Sequence, residues 1–114
     1  MWGEDGIAVT TAFGRQEDPL LVGDGQGGAF VVWIDYRNEP DTKGDVYAQH
    51  VLSDGSLVWS LEGYPIVVKD GAQRSPNMCK DGQGGAYIIW KDFTVGQYGH
   101  VYATHISADN DVIN

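Results

Sequence analysis

The chain has 114 residues, a formal net charge of −9 and 16 glycines, a length that suits one small domain or two repeat units. Its acidity and its seven scattered Lys and Arg residues lack the basic footprint of a nucleic-acid-binding protein. No apolar run approaches the roughly 20 residues of a membrane-spanning helix, which argues against membrane insertion.

The apolar residues are largely β-branched, aromatic or Ala, and none of them forms a stripe at helical spacing. Strands joined by tight turns are therefore expected along the whole chain. Near the N-terminus, after Trp2, "IAVTT" reads as a strand. "PLLVG" (19–23) is a short strand beginning at the proline. "DGQGG" (24–28) is a tight turn, because Gly supplies the positive φ such turns need. "AFVVWIDY" (29–36) is a strand apolar on both faces and so covered on both sides. "RNEPDTKG" (37–44) is a loop, and "DVYAQHVL" (45–52) is a strand with more alternation. "SDGS" turns the chain towards a further strand that starts around Trp59 and includes "PIVV".

The same order then returns: "PNMCK", "DGQGG", "AYIIWKDF", the loop "TVGQYG", "HVYATHIS" and the turn "ADND". The second copy lies 57 positions after the first, so Trp2 matches Trp59, Gly28 matches Gly85, Trp33 matches Trp90 and Asp35 matches Asp92. Past the shorter second loop the offset becomes 55, and Val46–Ala48 matches Val101–Ala103. Repeat 1 spans about 2–58 and repeat 2 about 59–114 of one two-unit domain. Four short antiparallel strands per unit, covered on both faces, define the blade of a β-propeller.

At these repeats the chain resembles a group of bacterial β-propeller repeat proteins whose blades read DG.GGA...W.D.R....D.YAQ....DG...W...G. Here that line stands as "DGQGGAFVVWIDYRN…GDVYAQHVLSDGSLVWSLEG". The second copy departs from it at Lys91, Phe93, Thr94 and Thr104. The resemblance implies a propeller fold and an extracellular or cell-surface parent protein, and it implies no activity. Met1 and Trp2 show neither the charged nor the apolar region of a signal peptide. "SDGSLVW" (53–59) is loosely similar to the Asp-box hairpin of sialidase-type propellers. Sialidase chemistry is not expected, since Arg15, Arg37 and Arg74 sit in no matching motif.

The chain starts and stops at the same point of the repeat, inside the fourth-strand region. Two blades cannot close a ring, since propellers run roughly four to eight. The expectation is head-to-tail association, with the N-terminal strand of one copy completing the last blade of the next. Three copies would give six blades and four would give eight. The alternative is a piece of a longer array.

Positions shared by both copies read as structural: Trp2, Trp59, Trp33 and Trp90 as packing residues, Asp35 and Asp92 as acceptors at a strand exit, Gly28 and Gly85 as turn residues. His50 and His105 recur once per copy, too dispersed to converge on a metal. Cys79, matching Val22, reads as a buried small hydrophobe. Positions that differ lie in the loops, where binding is usually built. Arg15, Arg37, Asn38, Arg74, Gln97 and Tyr98 are the candidate ligand-binding residues, suited to a polar ligand such as a glycan. No motif points to catalysis, a metal or a cofactor. The expected function is a non-catalytic, self-assembling structural or ligand-binding scaffold, with a lectin-like propeller as the alternative and a glycan hydrolase or lyase behind it.

Overall fold

The computed structural model describes residues 2–95 and 98–113. Among them are eight strands and no helix. β1 (Gln16–Gly23), β2 (Ala29–Asp35), β3 (Asp45–Val51) and β4 (Tyr64–Val67) form one sheet in that order. β5 (Gln73–Lys80), β6 (Ala86–Asp92), β7 (His100–Ile106) and β8 (Val112–Ile113) form the other. Every neighbouring pair is antiparallel. With no helix among the described residues, none is long and apolar enough to cross a membrane.

β1 and β5 begin three residues earlier than the prolines that were expected to open them. A bulge absorbs each proline. The register shifts between Glu17 and Leu20 and between Arg74 and Asn77, with Asp18 at φ 56° and Ser75 at φ 54°. A proline at a bulge removes no donor that the ladder needs. The "DGQGG" turns repeat their geometry as well, with Gly25 and Gly27 at φ 79° and 88° and Gly82 and Gly84 at 81° and 92°. Residues with a Cβ rarely adopt that region.

The two sheets share one core. Phe30, Val32, Ile34, Val46 and Ala48 of the first sheet cluster with Ala86, Ile88, Trp90 and Ile106 of the second. β6 alternates buried and exposed along its whole length. Its buried face lies against the first sheet, while Tyr87, Ile89 and Lys91 point outward. By the repeat offset, the outward Tyr87, Ile89 and Lys91 match the inward Phe30, Val32 and Ile34.

The fourth-strand readings need correction in three places. Trp59 lies outside β4; it precedes the strand and packs against Tyr64 with the rings tilted, centroids 5.1 Å apart. β8 is not the counterpart of β4: its pairs Ile106↔Val112 and His105↔Ile113 match the Val51↔Leu57 bridge and the Val58 N–H to His50 carbonyl bond of the first sheet. The N-terminal "IAVTT" is not a strand, because no described edge lies beside it to form a ladder. It crosses the outer face of the first sheet instead, where the Val9 carbonyl accepts from Gln49 Nε2 at 3.4 Å. From there it enters β1 as the segment after β4 enters β5. Tyr36 donates its N–H to the Arg15 carbonyl at 2.8 Å, and Phe93 to that of Ala72 at 2.9 Å.

β4 pairs with Val46, Tyr47 and Ala48 of β3. The matching stretch of β7, Val101–Ala103, has no ladder partner on that side among the described residues. Val101 is 69% and Tyr102 48% exposed.

Candidate functional site

The residues shared by the two repeats form the frame. Asp24 Oδ1 accepts the N–H groups of Gln26 at 2.7 Å and Gly28 at 2.9 Å, and its Oδ2 lies 2.7 Å from His50 Nε2. Asp81 repeats this with Gln83, Gly85 and His105. A Cβ on Gly28 or Gly85 would overlap the Val51 or Ile106 carbonyl, so these two glycines admit the close approach of turn and strand. Burial opposes ionisation of Asp24, but His50 and the two turn N–H groups outweigh it and hold the carboxyl below its ordinary range. At Asp81 the His105 bond is the leading cause of the same lowering. His50 and His105 thus brace turns, and each stacks on a neighbouring ring, Phe30 at 4.0 Å and Tyr87 at 4.4 Å.

Asp35 and Asp92 each accept the N–H two residues on, Arg37 at 2.9 Å and Thr94 at 2.7 Å. Each also binds a cation held over an equivalent tyrosine, but the cation comes from a different part of the chain. Arg37 grips Asp35 through Nε and Nη2 at 2.9 and 2.7 Å, with its guanidinium 3.8 Å above the Tyr47 ring. Thr94 occupies that position in the second repeat and supplies no charge. Lys69 replaces it from the segment after β4, with Nζ 2.6 Å from Asp92 and 5.1 Å from the Tyr102 ring. Lys69 in turn matches the uncharged Ala12. Burial works against ionising both carboxyls. The Arg37 and Trp33 bonds overcome it at Asp35, and the Lys69 bond and charge with Thr94 bring Asp92 down to about 2.

Of the six candidate binding residues, Arg37 is therefore committed to Asp35. Asn38 is committed to Asp45, Nδ2 to Oδ2 at 3.1 Å. Tyr98 is 74% exposed, and Gln97 falls outside the described residues. The structure brings together Arg15 and Arg74. They line a cavity of about 620 Å³ with Tyr36, Glu39, Pro40 and Lys43, at the junction of the two sheets. The Arg15 guanidinium lies 4.1 Å over the Tyr36 ring and its Nε 2.8 Å from Glu17. Lys43 and Arg74 are exposed and form no side-chain hydrogen bond or ion pair with the described residues. Sequence reasoning missed Lys43, although the signal was present: it stands where the other repeat has Tyr98.

One side-chain reading is overturned. Cys79 is exposed, because it lies on the outward face of the second sheet, whereas Val22 packs against the core that the second sheet covers. Trp2 is 50% exposed, and its Nε1 donates to the Ser53 carbonyl, in the turn after β3, at 3.0 Å. Trp33 and Trp90 are buried, and Trp59 is packed against the core. No cluster of three or more His, Cys, Asp or Glu able to hold a metal occurs among the described residues.

No protein-family model matches this chain, and no curated protein or solved structure is significantly similar to it.

Proposed function

We propose that the chain is a non-catalytic β-propeller module that closes a ring by stacking head to tail with further copies of itself. One observation carries this reading: each of the two faces buried between the sheets has its repeat equivalent on an outer face of the chain. Within the chain, the Phe30–Val32–Ile34 face of the first sheet meets the Ala86–Ile88–Trp90 face of the second. The repeat equivalents of these two faces are the outer ones, Tyr87–Ile89–Lys91 on the second sheet and Ala29–Val31–Trp33 on the first. One copy's outer face therefore suits the next copy's outer face, a heterologous contact that closes if the rotation fits. An open apolar face also favours a partner: Tyr87 and Ile89 are 46% and 43% exposed and border a groove of about 240 Å³.

The free edge of β7 fits the same geometry. By the repeat offset, Ile7, Ala8 and Thr10 of a second copy match Tyr64, Pro65 and Val67. They would pair with Ala103, Tyr102 and Val101 as β4 pairs with Ala48, Tyr47 and Val46. That segment already lies over the outer face of its own first sheet, the side on which a second copy would stack. The blade pattern of bacterial propeller repeat proteins supports both the ring and an extracellular or cell-surface setting for the parent protein.

Light scattering after size exclusion tests the ring. A discrete mass of three or four chains, for six or eight blades, is the expected result. A folded monomer at micromolar concentration overturns it. A second reading, a lectin-like scaffold, is favoured by the basic cavity between the sheets.

A further inference from the structure

The cavity at the sheet junction is unlike the rest of this acidic surface. Three of the chain's seven Lys and Arg residues, Arg15, Lys43 and Arg74, line it. Of the four cations outside it, the frame accounts for two: Arg37 and Lys69 each neutralise a buried aspartate. It does not explain these three. Lys43 and Arg74 have no anionic partner among the described residues, and clustering like charges costs free energy unless an anion offsets it.

Comparison of the repeats separates this cavity from the frame. Arg15 matches Ala72, Tyr36 matches Phe93, Lys43 matches Tyr98 and Arg74 matches Glu17. A junction between copies would carry none of the three cations. The basic cluster is therefore not something that every blade junction needs, as the shared Asp24 and Asp81 turns are.

We propose that this cavity binds a ligand bearing a single carboxylate, of the class of an acidic monosaccharide or disaccharide. Its volume of about 620 Å³ lies in the range of small-molecule sites. Arginine forks match the planar oxygens of a carboxylate. The net charge sets the valence: three cations face Glu39 in the lining and Glu17 on Arg15, which leaves one positive charge. That suits a monoanion and disfavours a polyphosphate. Glu39 can accept hydroxyl hydrogen bonds, and Pro40 with the edge of Tyr36 offers the apolar surface a sugar ring needs. The inference extends the lectin-like reading. It concerns a cavity within one chain, so it stands or falls separately from ring closure.

The test is a titration of the full chain with sodium glucuronate, followed by backbone amide shifts, with glucose and inorganic phosphate as comparison probes. Saturable millimolar binding of glucuronate is expected, with shifts at Tyr36, Gly44 and Arg74 and none with glucose. Arg74→Ala and Lys43→Ala should each weaken it by about tenfold, and Arg74→Lys should restore part of the loss. Both side chains are exposed and unpartnered, so these variants fold, and their unchanged far-UV circular dichroism checks it. The proposal is overturned by absent binding, by binding that Arg74→Ala leaves intact, or by phosphate binding as tightly as glucuronate. The last outcome would reduce the cavity to a bare positive patch.

Discussion

His50 Nδ1 lies 2.5 Å from Asn110 Oδ1, joining the first sheet to the turn before β8, while its Nε2 holds Asp24. Its side chain is 5% exposed and that of Asp24 4%. The counterpart His105 is 30% exposed and has no such tie across a sheet junction in the described residues. The same truncation should therefore cost unequal amounts. His50→Ala leaves a buried carboxylate without its partner and should lower stability by roughly 2–3 kcal/mol, against about 1 kcal/mol for His105→Ala. Urea unfolding of both variants measures the difference, and equal losses would contradict the asymmetry.

The interchangeable cations at Asp35 and Asp92 allow a rescue experiment. Arg37→Thr breaks a pair whose side chains are 14% and 0% exposed, which should cost roughly 3–5 kcal/mol. Lys69→Ala removes a cation that is 40% exposed, so solvent screens the pair and the loss should be clearly smaller than for Arg37→Thr. Ala12→Lys placed in the Arg37→Thr background should recover about 1 kcal/mol, because Ala12 stands where Lys69 stands in the other repeat. No recovery in urea midpoints would mean that the two positions are not equivalent in space.

Acid should weaken the fold through the same carboxyls. Asp24, Asp35, Asp81 and Asp92 all titrate below the ordinary value of 3.8 when folded, Asp92 at about 2. On acidification the unfolded chain binds protons first. Their stabilising contribution is present above pH 3.8 and is lost as the pH falls through the folded values, towards 2 for Asp92. Urea midpoints should hold steady from about pH 7 to 5 and fall steeply below about pH 4. Asp92→Asn should shallow that fall, and a pH-independent midpoint would refute the assignment.

The repeat register, the first three strands of each sheet and the Gly-rich turns were legible because a turn with positive φ and a strand covered on both faces each leave a local signature. What covers a face leaves none. Cys79 and Val22 occupy the same repeat position, yet one is exposed and the other packed, since burial depends on the neighbouring sheet. Likewise Arg37, Asn38, Arg15 and Arg74 looked alike as loop residues. Two of them have acceptors from β2 and β3 within reach and two do not, a difference created by folding.

That dependence makes Cys79 a reporter of assembly. In a ring its face is covered by the next copy, so its thiol should react with an aromatic disulfide reagent at least about tenfold more slowly than in unfolded chain. Fast, complete labelling of an intact oligomer would place the contact elsewhere.

The edge pairing can be trapped. With Cys79→Val as background, Thr10→Cys and Val101→Cys on different copies would come opposite one another across the proposed ladder, within disulfide reach, as Val67 and Val46 pair within the chain. Mild oxidation should give a covalent ladder that stops at three or four chains on a non-reducing gel. Cross-linking within single chains alone would rule out the proposed strand pairing.

The supply of the cation from the Arg37 position in one repeat and from the Lys69 position in the other bears on how such repeats are compared. Both repeats hold a charge over the tyrosine, each supplied from a different segment. A column-by-column alignment would record two unrelated losses, at Thr94 and at Ala12, and would hide the shared feature. Relatives of this chain are better matched by what occupies the space above the tyrosine ring than by which residue supplies it.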